Sequence, residues 1–229
     1  MKAMIINGSP RKNRNTVSLL KKVMEGVEES GCETKLVHLR DLKFSGCISC
    51  LACKIKGNTC GGLCALRDDL RPVLEETLAS EILVVGTPVY FHYQTALTRA
   101  FMERLLFAPL DYVNAGSSTL KKKIQCATIY TMHVMNDELF ANMSYAQTLG
   151  VAAKSLELLG PQEVLYFRGL SAFPDFERYP FNLEFAKILD SMREEHYAEY
   201  EQQAYDLGKR LVHQANTQHL DIQTNNVAK

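Results

Sequence analysis

Short apolar segments alternate with longer amphipathic ones over about the first 170 residues, and this alternation constrains the fold more than any other feature. The short segments have the length of buried strands, whereas the longer ones repeat apolar residues every three to four positions, as helices do. Strands are predicted at 3–6, 34–39, 81–86, 124–131 and 164–167. Helices are predicted at 16–30, from 68 or 69 to 78, and at 94–106, 145–159 and 183–213.

Strands separated by helices at this spacing predict right-handed βαβ crossovers and a parallel sheet covered by helices on both faces. Five such strands predict one doubly wound α/β domain, and 229 residues are enough to give it a core. We expect this domain to span residues 1–216, with a helical extension over 182–215 and a polar tail over 217–229.

The charge balance excludes some partners. Lysine plus arginine equals aspartate plus glutamate at 26 each, so no global field attracts nucleic acid or an anionic membrane. The balance also disfavours the acidic surface of a small electron carrier. No basic leader precedes a long apolar stretch, and the longest aliphatic run, 82–85, is too short to cross a bilayer. We therefore expect a cytoplasmic protein without nucleic-acid or membrane partners.

Five cysteines lie within eighteen residues of a predicted loop at 44–64. They are Cys47, Cys50, Cys53, Cys60 and Cys64. In a reducing compartment such a group more often binds metal or performs redox chemistry than forms disulfides. Three chemistries are open: an iron–sulfur cluster, a zinc site or redox-active thiols. Structural zinc usually takes its thiolates as two separated pairs, which this run is not.

A polar loop at 7–16 follows the first strand and precedes a helix. Backbone N–H groups at such a helix start favour an anion, so the loop is a candidate phosphate site. Its candidate ligands are Ser9, Arg11, Asn15 and Thr16. The loop lacks the glycine and lysine pattern of a Walker A motif and is not Gly-x-Gly-x-x-Gly. The alternative is an ordinary loop in which Asn15 or Thr16 caps the helix.

A second loop, at 86–93, follows the third predicted strand. In a doubly wound sheet the carboxyl ends of the strands share one edge, where ligands bind, so this loop should lie beside the candidate phosphate site. Its aromatic residues could pack on a flat ring. The alternative is that Tyr90, Phe91 and Tyr93 only cover core.

Together these segments resemble the NADPH-dependent FMN reductase branch of the flavodoxin-like superfamily, and more narrowly its iron–sulfur flavoproteins. The resemblance covers about residues 1–170. It is carried by Gly8-Ser9-Pro10-Arg11, Asn15-Thr16, the Pro88-Val89-Tyr90-Phe91 loop with Leu97, Phe101 and Arg104, and the cysteine run ending in Asp68-Asp69-Leu70.

The resemblance implies a flavodoxin-like sheet of order 2-1-3-4-5 and non-covalent FMN. It places the FMN phosphate on Ser9, Arg11, Asn13, Asn15 and Thr16, the ring against Pro88, Val89, Tyr90 and Phe91, and a third contact at Thr131, Met132 and His133. Residues at this third loop are bulkier here than is usual in the family.

The resemblance also implies a 4Fe-4S cluster on Cys47, Cys50 and Cys53, with Cys60 or Cys64 as the fourth ligand. Relatives place the fourth cysteine four residues before the paired aspartates, which is Cys64 here, while the spacing also admits Cys60. Zinc and free thiols stay open as alternatives.

The implied function is an FMN-dependent NAD(P)H oxidoreductase that passes electrons to a quinone, a flavin, oxygen or a cluster-linked acceptor. The flavin carries the chemistry, so no catalytic proton donor is assigned. The alternatives are a flavodoxin-type electron carrier without its own substrate, and a thiol or metal redox-sensing module. A homodimer or homotetramer is expected, since reductases of this type generally complete the flavin site with a neighbouring chain.

Overall fold

The computed structural model describes residues 1–114, 116–173 and 175–227, and the side chains up to residue 218. Strands and helices alternate through this part of the chain. The strands are β1 (Lys2–Asn7), β2 (Glu33–His38), β3 (Ile82–Tyr90), β4 (Tyr93–Gln94), β5 (Gln125–Thr131) and β6 (Gln162–Phe167). The α-helices are α1 (Asn15–Glu29), α2 (Leu70–Ala79), α3 (Ala96–Phe107), α4 (Asp137–Asn142), α5 (Tyr145–Lys154) and α6 (Leu183–Val227).

Five of the strands are parallel and lie in the order β2-β1-β3-β5-β6, while the two-residue β4 pairs antiparallel with the end of β3. Counting the parallel strands alone, this is the predicted order 2-1-3-4-5, and the flavodoxin-like fold is confirmed. The order reverses at β1 and β3, whose carboxyl ends therefore flank the crevice where ligands bind in such sheets.

The three central strands, β1, β3 and β5, are buried on both faces, as continuous apolar strands require. Alternate residues of β1 show the division, since side chains in a strand point to opposite faces. Ala3 and Ile5 pack with α1 and α6, whereas Met4 and Ile6 pack with α2 and α3. Two apolar layers thus hold the strand ends, and the loops that follow them, in fixed positions.

Helices α1 and α6 approach each other closely through two glycines. A Cβ atom on Gly26 would lie 2.1 Å from the main-chain oxygen of Tyr205, and one on Gly208 would lie 2.3 Å from that of Val23. No side chain fits in either gap. This packing fixes α1, whose first turn belongs to the candidate site.

Three elements differ from their predicted lengths. Strand β3 continues past Gly86 to Tyr90 because Thr87 and Pro88 pair with β5, and Val89 and Tyr90 pair with β4. Helix α5 ends at Lys154 and is followed by a 3-10 turn at Ser155–Leu158. Helix α6 runs to Val227, past the end expected near residue 213, because no glycine or proline interrupts 214–227. In the described part of the chain, no helix has the length and apolar character needed to cross a membrane.

Candidate functional site

The loop after β1 is shaped by the buried side chain of Asn7. Its Oδ1 accepts from the backbone N–H of Ser9 at 3.0 Å, and its Nδ2 contacts His38 Nδ1 at 2.9 Å. Ser9 Oγ then accepts from the backbone N–H of Arg11 at 3.1 Å. Thr95 ties the loop to the second loop by donating to the Gly8 oxygen at 2.7 Å. Short polar side chains therefore set the backbone turn of this loop.

Helix α1 starts without a side-chain cap. Arg14 occupies the N-cap position and makes no capping bond. Asn15 and Thr16, the predicted alternatives for a cap, are engaged elsewhere, and Thr16 Oγ1 lies 2.7 Å from Thr131 Oγ1 at the end of β5. The first turn of α1 thus has no side-chain cap, and its residues Asn15 and Thr16 line the crevice, where the helix dipole favours a negative charge.

One cavity at the carboxyl edge of the sheet brings three predicted loops together. It is lined by Ser9, Arg11, Arg14, Asn15, Thr16, Pro88, Val89, Tyr90, Thr131, Met132, His133, Leu170, Ser171 and Ala172. All the predicted flavin-site residues except Asn13 and Phe91 belong to this lining. Arg14 and the segment 170–172 were not predicted. Arg14 lies inside the predicted phosphate loop, so the sequence could have identified it as a candidate site residue.

The segment 170–172, which follows β6, closes one side of the cavity through its main chain. Asn15 Nδ2 donates to the Ser171 oxygen at 3.0 Å, and Arg11 donates to the Ala172 oxygen. Leu170 donates its N–H to the Met132 oxygen at 3.0 Å. Two donors of the candidate phosphate site are therefore bound to carbonyl oxygens of this segment.

The second loop is a hairpin in which β3 turns into β4 at Phe91 and His92. Both residues have positive φ angles, 47° and 69°, which are uncommon outside glycine and carry strain. His92 Nδ1 lies 2.7 Å from the Tyr145 hydroxyl, which holds the turn against α5. Tyr90 lines the cavity, whereas Phe91 is 98% exposed and does not belong to the lining.

The third loop is packed more tightly than the first two. Met132 is buried beside Tyr145 and donates its N–H to the Phe167 oxygen at 2.9 Å. His133 is half-buried, with its ring centroid 6.0 Å from that of Phe181. Burial lowers the pKa of His133 below its usual range. This loop therefore offers the cavity a neutral imidazole at neutral pH.

Four of the five clustered cysteines line a second cavity, between the 44–66 loop and α3. These are Cys47, Cys50, Cys53 and Cys64. Cys60 lies outside the lining, and its N–H is bonded to Asn58 Oδ1 at 2.9 Å. All seven cysteines carry free thiols, and Cys32 and Cys126 are buried in the two sheet layers.

Two kinds of metal site use four thiolates, a single zinc ion and a 4Fe-4S cluster. Among the side chains the structure describes, no three from His, Cys, Asp and Glu are close enough together to hold one metal ion. A single zinc ion needs all its thiolates at about 2.3 Å, whereas in a 4Fe-4S cluster each thiolate binds a different iron. The four cysteines that line this cavity equal the number of thiolates that such a cluster takes.

The backbone of the cysteine loop is strained where it turns around Cys50. Ser49 and Leu51, on either side of it, have φ angles of 54° and 57°. Left-handed conformations of non-glycine residues persist only when the surroundings impose them, and they concentrate at functional sites. The loop is anchored at its start by Asp69, whose carboxylate accepts from the Lys43 N–H at 2.8 Å.

The fold and these two cavities define a flavodoxin-like α/β protein with a crevice at the carboxyl edge of its sheet and a cysteine-lined cavity beside α3. The chain belongs to the NADPH-dependent FMN reductase family, whose sequence model matches residues 1–153.

Curated relatives share part of this chain. An iron-sulfur flavoprotein of Archaeoglobus fulgidus is 38% identical over 104 residues, covering 45% of this chain and 48% of that protein. An iron-sulfur flavoprotein of Methanocaldococcus jannaschii is 33% identical over 104 residues, covering 45% of this chain and 51% of that protein. The matches thus span about half the length of these relatives.

Solved structures resemble this fold at low sequence identity. An NAD(P)H:quinone oxidoreductase from Methanothermobacter marburgensis superposes with a TM-score of 0.62 at 13% identity, over 92% of this chain and 96% of that one. The azoreductase AzrA superposes with a TM-score of 0.61 at 11% identity, over 92% of this chain and all of that one. At such identities the likeness concerns the fold alone.

Proposed function

We propose that this protein is an FMN-dependent NAD(P)H oxidoreductase. The observation that carries the proposal is the single cavity in which the uncapped start of α1, with Arg11 and Arg14, faces the Pro88–Tyr90 segment. An anion site and an apolar wall side by side match the two ends of FMN. Family membership supports the choice of FMN and of a nicotinamide electron donor.

Each wall of the cavity has a distinct part in this proposal. Ser9, Arg11, Asn15 and Thr16 bind the phosphate, with Arg14 adding a second guanidinium at the rim. Pro88, Val89 and Tyr90 hold the ring, and Thr131, Met132 and His133 meet its polar edge. Bound FMN supplies the chemistry, taking a hydride from NAD(P)H and passing the electrons on. The protein positions the flavin and limits the access of water.

Comparing FMN with riboflavin tests this assignment, because the two differ only by the phosphate. The fluorescence of the flavin, which we expect to be quenched on binding, reports the affinity. We expect FMN to bind at least about tenfold more tightly than riboflavin, because the phosphate adds roughly one charge-assisted hydrogen bond. Equal affinities would contradict the phosphate site. No binding of either flavin would contradict the function.

The proposal includes a 4Fe-4S cluster on Cys47, Cys50, Cys53 and Cys64, which would add one-electron transfer. The four thiols that share a cavity support it, and the position of Cys60 outside that cavity favours Cys64 as the fourth ligand. After anaerobic reconstitution, Cys64→Ser should lower the iron content per chain and Cys60→Ser should leave it unchanged. The reverse result would make Cys60 the fourth ligand. If the unmodified protein takes up no iron, the proposal of a cluster is wrong.

The electron acceptor and the assembly are also proposals. A quinone, a flavin, oxygen or a cluster-linked protein remain candidate acceptors. A homodimer or homotetramer is supported by Phe91, an aromatic side chain that is 98% exposed on a strained turn. Light scattering at micromolar concentration checks this, and a monomer would contradict it.

A further inference from the structure

Arg104, on α3, is a buried cation beside the cysteine cavity. Its side chain has 0% exposure. Both terminal nitrogens bond the carboxylate of Asp68, with Nη2 donating to Oδ1 at 2.9 Å. The same guanidinium donates to the main-chain oxygens of Ser45 and Leu66, each at 3.3 Å. Arg104 thus fastens both ends of the cysteine loop to α3.

A fifth contact distinguishes Arg104 from a purely structural clamp. Its Nε donates to Cys64 Sγ at 3.4 Å, within the limit for a sulfur acceptor. A neutral thiol accepts weakly, whereas a sulfur that carries negative charge accepts strongly. The geometry therefore aims a fixed N–H group at the one buried thiol among the four that line the cavity.

The net charge at this point is small, because the carboxylate of Asp68 offsets the guanidinium. Any effect on the cysteine site therefore acts through the directed N–H bond to Cys64 Sγ, and Asp68 limits its strength. Hydrogen bonds to the sulfurs and the local charge both set the reduction potential of an iron–sulfur cluster. Adding an electron increases the negative charge on the sulfurs, so a donor to one of them favours the reduced form.

Resting on the cluster of the proposed function, we propose that Arg104 is a positioning residue that orients Cys64 and raises the reduction potential of the site, with Asp68 moderating it. Removing the N–H donor of Arg104 should then lower the reduction potential, whereas removing the carboxylate of Asp68 should raise it. A purely structural clamp predicts that Arg104→Lys, which keeps the charge, leaves the potential unchanged.

The test uses Arg104→Lys, Asp68→Asn and the control Arg210→Lys. Lysine keeps the charge but not the planar fork of donors, so it cannot serve Asp68 and Cys64 together. Arg210 lies on α6, about half exposed, and bonds Glu163 at 3.2 Å. The control makes the same chemical change away from the thiols.

Iron per chain and the midpoint potential, from anaerobic dithionite titration with dye mediators, are measured for the full chain. We expect a lower potential in Arg104→Lys, a higher potential in Asp68→Asn, and no change in Arg210→Lys. If Arg104→Lys fails to fold, the direction in which Asp68→Asn shifts the midpoint potential decides whether the proposal holds.

Two results overturn the proposal while the cluster stands: unchanged potentials in both variants, or a shift of Asp68→Asn to lower potential. If the unmodified protein takes up no iron, the cluster itself is wrong and this role of Arg104 falls with it. The iron measurement separates these two failures.

Discussion

The side-chain amide of Asn15 donates to the main-chain oxygen of Ser171 at 3.0 Å and so joins the start of α1 to the segment after β6. Arg11 makes the same kind of bond to Ala172. In the proposed site these two donors bind the FMN phosphate, so phosphate and carbonyl oxygens compete for them. FMN binding should therefore release residues 170–173.

Hydrogen exchange with and without flavin measures this release. Backbone amides in residues 170–173 should exchange faster with FMN than without it, and riboflavin, which lacks the phosphate, should cause little change. Slower exchange with FMN would mean that the segment closes over the flavin and does not compete with it.

Replacing the cation of Arg11 should weaken FMN binding. Arg11→Met removes a charged donor at an exposed position, where one such bond is worth the low end of about 1.5–3 kcal/mol, so the dissociation constant should rise about tenfold. Lys12→Met is the matched control, because Lys12 pairs with Asp41 and does not line the cavity. A similar loss in both variants would show that only net charge matters.

Adding a methyl group between α1 and α6 should destabilise the fold. Gly26→Ala places a Cβ 2.1 Å from the Tyr205 oxygen, and such overpacking costs about 1–3 kcal/mol. Thermal unfolding should show a lower midpoint. Gly150→Ala in α5 is the control, because its nearest neighbour would be the Tyr166 hydroxyl at 3.6 Å. It should stabilise the protein slightly through helix propensity; equal losses in the two variants would contradict the packing argument.

The pH dependence of stability should contain a contribution from His133. Burial lowers the pKa of this imidazole in the folded protein, so the unfolded chain binds the proton more readily. Stability is then full above the unfolded value of about 6.5 and falls as the pH drops through it toward the folded value. His133→Gln should reduce this loss, as measured by denaturant unfolding at several pH values.

His38 contributes in the same direction, since burial lowers its pKa as well. Its replacement by glutamine should remove a separate part of the acid loss. The exposed His213 provides a control. If His133→Gln and His213→Gln gave the same pH profile, burial of His133 would not be the cause.

Much of the fold could be predicted from the sequence because the strands are buried on both faces and the helices carry one apolar face. The parallel strands begin and end within a few residues of their predicted limits, apart from the extension of β3. The last two residues of β3, Val89 and Tyr90, could not be predicted as strand, because their pairing with β4 depends on a turn with positive φ at Phe91 and His92, residues without a strong preference for it. The polar end of α6 also carried no clear helical pattern.

The candidate site was predictable where side chains supply it and unpredictable where the main chain does. Ser9, Arg11 and Thr16 belong to a recognisable motif. The carbonyl oxygens of Ser171 and Ala172 have no sequence signature, because any residue provides one. The proposed choice of Cys64 over Cys60 likewise rests on the cavity, since the spacing admits both.

The central claim is that a nicotinamide reduces FMN bound in this crevice. Anaerobic stopped-flow mixing of the FMN-loaded protein with NADPH, and separately with NADH, tests it most directly. The account predicts loss of the flavin absorbance with at least one of the two, at a rate that saturates with nicotinamide concentration. If FMN binds and dithionite reduces it but neither nicotinamide does, the protein is an electron carrier and the proposed function is wrong.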